Sequence, residues 1–175
     1  MGINRLNHAV LYVRDADQSA RFYQEVLGFS RVSMGGQVIR GAVFLQAPGS
    51  TNDHDLGLFS VGPDAAPSTA GRGTVGLYHL AWEVDTLDDL ERLATMLSEH
   101  GALVGASDHA TTKSLYARDP DGLEFEVAWV VPADQLDDAT LAGRASIRPL
   151  DLEAAKVRYG AHTPGGIGIS RTAPA

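Results

Sequence analysis

Residues 76–84 read GLYHLAWEV, a strand-forming apolar run with one histidine, His79, set inside it. A titratable ring in such a run is costly unless it is hydrogen-bonded, paired or ligating, and a lone histidine there is most often a satisfied core residue. This one is not alone. Residues 6–13, LNHAVLYV, carry His8 at the same place, and the offset of 71 that sets His8 on His79 also sets Val13 on Val84 and Asp17 on Asp88. Two histidines at matching positions of an internal repeat favour a shared ligand role over two separate packing events.

The repeat extends outward from both histidines. After LNHAVLYV, the stretch RDADQSARFYQEVLGF (14–29) has helical spacing at Ala20, Phe22, Tyr23, Val26 and Leu27, with Asp15 or Asp17 to cap it and Gly28 to stop it. Three strand candidates follow, FSRVSMG (29–35), QVIRGAVFLQA (37–47) and DHDLGLFSV (53–61), divided by Gly, Pro, Ser and Asn clusters. GPDAAPSTAGRG (62–73) has linker composition. The pattern then restarts with VGLYHLAWEVD, the helix TLDDLERLATMLSEHG capped by Thr86 and stopped by Gly101, and strands around ALVGAS, KSLYARD and LEFEVAWVV.

The predicted fold class is therefore α+β, with two βαβββ modules, a mixed sheet and a pseudo-twofold cleft where one module covers the other's open face. A single domain spans 1–131, with module 1 at about 4–61, a linker at 62–73 and module 2 at about 74–131. Residues 132–175 form a C-terminal extension, in which ADQLDDATLAG suggests a short helix and HTPGGIGISRTAPA (162–175) an extended or disordered tail.

Composition excludes several function classes. The 175 residues include 44% hydrophobic and 21% charged side chains, outside the range of disordered chains. A net charge of −8, with the 14 Lys and Arg scattered, opposes nucleic acid and anionic membrane as partners. The absence of cysteine removes disulfides, thiolate metal sites and Cys nucleophiles, and suits a reducing compartment. No apolar h-region and no run of about 18 apolar residues occurs, so a soluble cytoplasmic protein is expected.

A divalent metal held by two imidazoles commonly takes a carboxylate as third ligand and keeps an open face for reactants. GLEFEV (122–127) offers Glu124 and Glu126, which share strand parity and are costly there unless paired or coordinating; the bland alternative is an acidic edge meeting water.

NHAVLYVRDADQSARFYQEVLGF, YHLAWEVDTLDDL and SLYARDPDGLEFEVAW together resemble the vicinal oxygen chelate superfamily, which includes glyoxalase I, extradiol ring-cleaving dioxygenases, fosfomycin resistance enzymes and bleomycin resistance proteins. The resemblance covers roughly residues 5–131, nearest to catechol 2,3-dioxygenase-like extradiol enzymes. It implies a metal held by His8, His79 and Glu126. It also implies a discriminating position in NDHDLGLF (52–59): isomerases of the superfamily place a ligand carboxylate on this strand, dioxygenases an acid–base histidine, here His54. Asp55 has the opposite parity and competes for that position. The expectation is His54 inward, because Leu56 and Leu58 share its parity and suit an apolar pocket.

Two further residues follow from the resemblance. Tyr116 matches the tyrosine that hydrogen-bonds the bound diol, and His109 the histidine preceding that strand, although Ser107 stands where better-known members carry a histidine. Lys113 could reach into a pocket, although such a lysine is more often a solvated edge-strand charge, and Phe125 and Trp129 read as core. The implied activity is Fe(II)- or Mn(II)-dependent extradiol cleavage of a catechol-type diol with O2, by a homodimer. The alternatives are a glyoxalase-like lyase or isomerase using Ni or Zn with Asp55 at the metal, and a metal-free ligand-binding resistance protein, which needs no ligand triad.

Overall fold

The computed structural model describes residues 2–3, 5–37 and 39–166; the last nine residues of the expected tail lie outside the described residues. The chain forms two compact units, residues 1–69 with 119–123, and residues 70–118 with 124–175. Each contains a mixed sheet and a long helix.

In the first unit, β1 (Ala9–Val13), β2 (Ser30–Arg31), β3 (Ala42–Gln46) and β4 (Leu56–Ser60) form a sheet in the order β1-β4-β3-β2. β1 and β4 are parallel, and the other pairs antiparallel. Helix α1 (Ala16–Leu27) starts at Asp15, whose carboxylate accepts from the amides of Asp17 and Gln18, settling which aspartate caps. It ends at Gly28, whose φ of 75° is the left-handed conformation that glycine adopts without steric cost. Alternation along the strands divides the sheet. Leu11, Val13, Val43, Leu45, Leu56 and Leu58 are buried with Ala20, Tyr23 and Val26 of α1, whereas Val10 and Tyr12 stay 52% and 76% exposed on the opposite face. β2 is far shorter than FSRVSMG suggested, and the strand expected over 37–47 is confined to β3.

The turn Asp119–Leu123 belongs to this unit through side chains as well as position. Asp121 accepts from the Arg14 guanidinium at 2.7 Å and from the Arg14 amide at 3.2 Å. Asp119 Oδ1 accepts from the amides of Asp121 and Leu123, both at 2.9 Å, and the Tyr23 hydroxyl lies 3.5 Å from Oδ2. Burial raises the Asp119 carboxyl from its ordinary 3.8 to about 6, against the lowering effect of the two amides. The Tyr23 phenol is raised by its own burial and then by Asp119.

In the second unit, β5 (Leu80–Glu83), β6 (Leu103–Asp108), β7 (Thr112–Arg118), β8 (Glu124–Val130) and β9 (Arg148–Pro149) form a sheet in the order β5-β8-β7-β6-β9, with β5 and β8 parallel. Helix α2 (Leu87–Glu99) opens with a capping box, Thr86 Oγ1 accepting from the Asp89 amide and Asp89 accepting from the Thr86 amide. α1 and α2 begin at residues 16 and 87, preserving the offset seen in the sequence. Leu115, Ala117, Phe125, Val127 and Trp129 are buried, so Phe125 and Trp129 are core as expected.

Two expectations need correction here. His8 and His79 each stand one residue ahead of their strand rather than within it, which keeps both rings outside the ladder. Lys113 is 3% exposed, not solvated: its ammonium donates to Asp108 Oδ1 at 2.6 Å and the Ala110 carbonyl at 3.0 Å, and lies over the Tyr159 ring. In the extension, the short helix expected in ADQLDDATLAG is α3 (Asp138–Ala142), and the sequence pattern predicts neither β9 nor α4 (Leu152–Tyr159), which packs on α2. Lys156 of α4 bridges Asp88 and Glu91, and the Thr163 carbonyl accepts from the Trp129 indole at 3.2 Å. Among the described residues no helix is long and apolar enough to cross a membrane.

Candidate metal centre

The open face of the second sheet carries the clearest constellation. His79 Nε2 lies 3.1 Å from Glu126 Oε2, with the two side chains 24% and 14% exposed. β8 explains the choice between its two glutamates. Glu126 lies between Ala81 of β5 and Tyr116 of β7, beside His79, while Glu124 at the strand's start is occupied by Arg118 at 3.8 Å and by the Tyr78 hydroxyl. That hydrogen bond is the main cause raising the Tyr78 phenol.

Tyr116 faces the same pair, its ring 5.9 Å from that of His79 in an edge arrangement. Burial, then the Glu126 carboxylate, raises its phenol, so it is a hydrogen-bond donor at neutral pH. Its hydroxyl reaches His109 Nε2 at 2.9 Å. Four of the residues singled out in the sequence are thus gathered in one unit.

The first unit holds the other two. His8 and His54 stack with centroids 4.4 Å apart, and Phe44 meets His54 edge-on at 5.2 Å. His54 does not share a pocket face with Leu56 and Leu58, contrary to the expectation from strand parity. Leu56 and Leu58 are fully buried on the core face, not at a pocket. His54 reaches the opposite face because it precedes β4, in a loop where strand alternation does not apply. Asp55 builds that loop: its carboxylate accepts from the Ala47 amide at 2.8 Å, Ser50 Oγ at 2.7 Å and Asn52 Nδ2 at 2.7 Å. Three of its roughly four acceptor positions are taken by that loop. Asp53 Oδ2 sits 3.1 Å from His54 Nδ1 and fixes the ring, leaving Nε2 for chemistry.

Sheet register locates the first unit's counterpart of Glu126. Ala81, two residues after His79, pairs with Glu126; Val10, two residues after His8, pairs with Gly57. Gly57 has no side chain, so no carboxylate occupies that place.

The donor set fits a divalent cation. Ligand atoms about 2.1 Å from a metal at right angles are about 3 Å apart, and His79 and Glu126 already stand at 3.1 Å. His79 Nδ1 is buried without a hydrogen-bond partner among the described residues, while Nε2 faces the acceptor-only Glu126 carboxylate, so the proton sits on Nε2 and a cation bound between the two would take its place. Within each unit, among the described residues, no third His, Asp or Glu completes a metal-holding group.

Two mixed sheets, each with a long helix, and an imidazole and a carboxylate together on one sheet are the βαβββ arrangement expected from the sequence. Residues 5–127 match the family described as the Glyoxalase/Bleomycin resistance protein/Dioxygenase superfamily, and the chain belongs to it. It is 30% identical over 122 residues to a catechol-2,3-dioxygenase of Bacillus subtilis, covering 70% of this chain but only 40% of that protein. It is also 30% identical over 131 residues to the Salmonella typhimurium virulence protein STM3117, covering 75% of this chain and 88% of that one. A glyoxylase/bleomycin resistance protein/dioxygenase domain from Frankia sp. EAN1pec shares the fold, with a TM-score of 0.57 and 24% identity, covering 73% of this chain and 92% of that one.

Proposed function

We propose that the protein is an extradiol dioxygenase, opening the ring of a catechol-type diol beside its two hydroxyls and placing both atoms of O2 in the product. The observation that carries this is the partner of His8. It is a second imidazole, His54, while Asp55 is consumed by its loop and Gly57 stands opposite Val10. The lyase or isomerase alternative asks this strand for a carboxylate at the metal, and the one there, Asp55, is engaged by its own loop. The 30% identity to a catechol-2,3-dioxygenase supports the same reading.

In this proposal His79 and Glu126 are ligands, with His8 as the third through its place in the repeat. Fe(II) suits such a set, and Mn(II) accepts it equally. When bound, the metal lowers the pKa of a coordinated diol hydroxyl and supplies the one-electron chemistry O2 needs. His54 Nε2 takes the proton leaving the diol and returns it as the ring opens, with Asp53 holding the ring. Tyr116, a phenol at neutral pH, donates a hydrogen bond to oxygen on the substrate when it swings from His109.

The test is anaerobic purification with metal analysis, then oxygen uptake and absorbance with a panel of catechols. Iron or manganese with oxygen consumed and a yellow ring-fission product supports the proposal. Nickel or zinc without oxygen uptake rejects it in favour of a lyase or isomerase.

A further inference from the structure

The Tyr116–His109 pair does not end at His109. His109 Nδ1 lies 3.2 Å from the carbonyl oxygen of Ser146, a residue of the extension beyond the family match at residue 127. That carbonyl is held in place by its own turn: Ser146 Oγ donates to the Gly143 carbonyl at 2.6 Å, and the Ser146 amide donates to the same oxygen at 2.8 Å. β9 then anchors the segment to the edge of β6, pairing Pro149 with Ser107 and Arg148 with Asp108. The hairpin turn bearing His109 is equally fixed. Ala110 takes a left-handed φ of 62°, with its amide bonded to Asp108 and its carbonyl to Lys113.

A carbonyl oxygen can only accept. Neutral His109 must therefore carry its proton on Nδ1 to donate to Ser146, which leaves Nε2 as an acceptor and makes the Tyr116 hydroxyl the donor to it. We infer that the C-terminal extension is a positioning element of the site: the Ser146 carbonyl sets the His109 tautomer, and through it the direction in which the Tyr116 hydrogen points. The catalytic meaning of this order rests on the dioxygenase reading; the order itself does not. Without Ser146, His109 is free to donate from Nε2, and Tyr116 would have to accept.

The test uses the full chain labelled with ¹⁵N-histidine, reading tautomers from two-bond ¹H–¹⁵N correlations, with His109 assigned by its loss in His109→Gln. The parent is expected to show protonated Nδ1 and bare Nε2. Gly143→Val places a Cβ 3.0 Å from that of Ala110, so the Gly143–Ser146 turn and the His109–Ala110 turn must part by a few tenths of an ångström, stretching the 3.2 Å contact of Ser146 with His109. Loss of one neutral hydrogen bond, roughly 1 kcal/mol, shifts the tautomer ratio about fivefold toward Nε2–H. Should that variant not fold, Tyr116→Phe decides: if the carbonyl sets the tautomer, His109 keeps Nδ1–H without the phenol. Nε2–H in the parent, a flip in Tyr116→Phe, or an unmoved ratio in folded Gly143→Val overturns the inference. A tautomer pattern as expected with no oxygen uptake on any catechol supports the inference while removing the dioxygenase reading.

Discussion

Replacing Asp119 by Asn isolates the cost of a buried charge at the turn that joins the first unit. The Asp119 side chain is 5% exposed, and burial lifts its carboxyl from 3.8 to about 6. Because the folded value is the higher one, the native protein binds more protons than the unfolded chain between roughly pH 4 and 6, so this group's contribution to stability falls as pH rises across that window. Above about 6 the penalty is complete, and a shift of about two units corresponds to at most roughly 3 kcal/mol. Asn retains an oxygen for the amides of Asp121 and Leu123 and offers an NH2 to the Tyr23 hydroxyl. Urea denaturation from pH 4 to 8 is therefore expected to show Asp119→Asn more stable than the parent by about 1–3 kcal/mol at pH 7, with the gap closing toward pH 4. A variant equal to or weaker than the parent at pH 7, or a gap independent of pH, refutes the reasoning and makes the carboxylate a net stabiliser.

Other residues give sharper functional contrasts. Asp55→Ala leaves a buried amide and two side-chain donors unpaired, and should lower unfolding free energy by about 2–3 kcal/mol by denaturant titration while loosening His54. His54→Ala should retain metal by elemental analysis yet slow catechol turnover roughly a hundred- to ten-thousand-fold, the usual range for loss of a general acid–base; loss of metal would make His54 a ligand instead. Tyr116→Phe should lower turnover while leaving the fold intact by circular dichroism, and an unaffected rate would make Tyr116 structural.

Much of the fold was legible because the repeat restarts both helices at one fixed offset and each module punctuates itself with caps and glycines. That Glu126 rather than Glu124 stands beside His79 was implied by the resemblance alone. Parity makes Glu124 and Glu126 equivalent, and only Arg118 and Tyr78, distant in sequence from one another, separate them. His54 was chosen for a reason that fails: alternation governs residues inside a ladder, and its position is set by the Asp55-centred loop. The His109–Tyr116 contact depends on a left-handed Ala110 in the turn between β6 and β7, which no spacing rule anticipates. The extension hid for a different cause. Asp151 and Gly160 bracket α4 as cap and stop, a signal that was available, but its weakly amphipathic sequence carries little helical periodicity. Lys113 looked solvated because the tyrosine that covers it, Tyr159, lies far along the chain in that same helix.

The central claim is that His79 and Glu126 hold a divalent metal, and it is tested most directly by metal content per chain in the parent and in Glu126→Gln, both purified without oxygen and checked for folding by circular dichroism. Near-stoichiometric iron or manganese in the parent and little in the folded variant is the predicted result. Equal metal in both, or none in the parent after reconstitution, would contradict it.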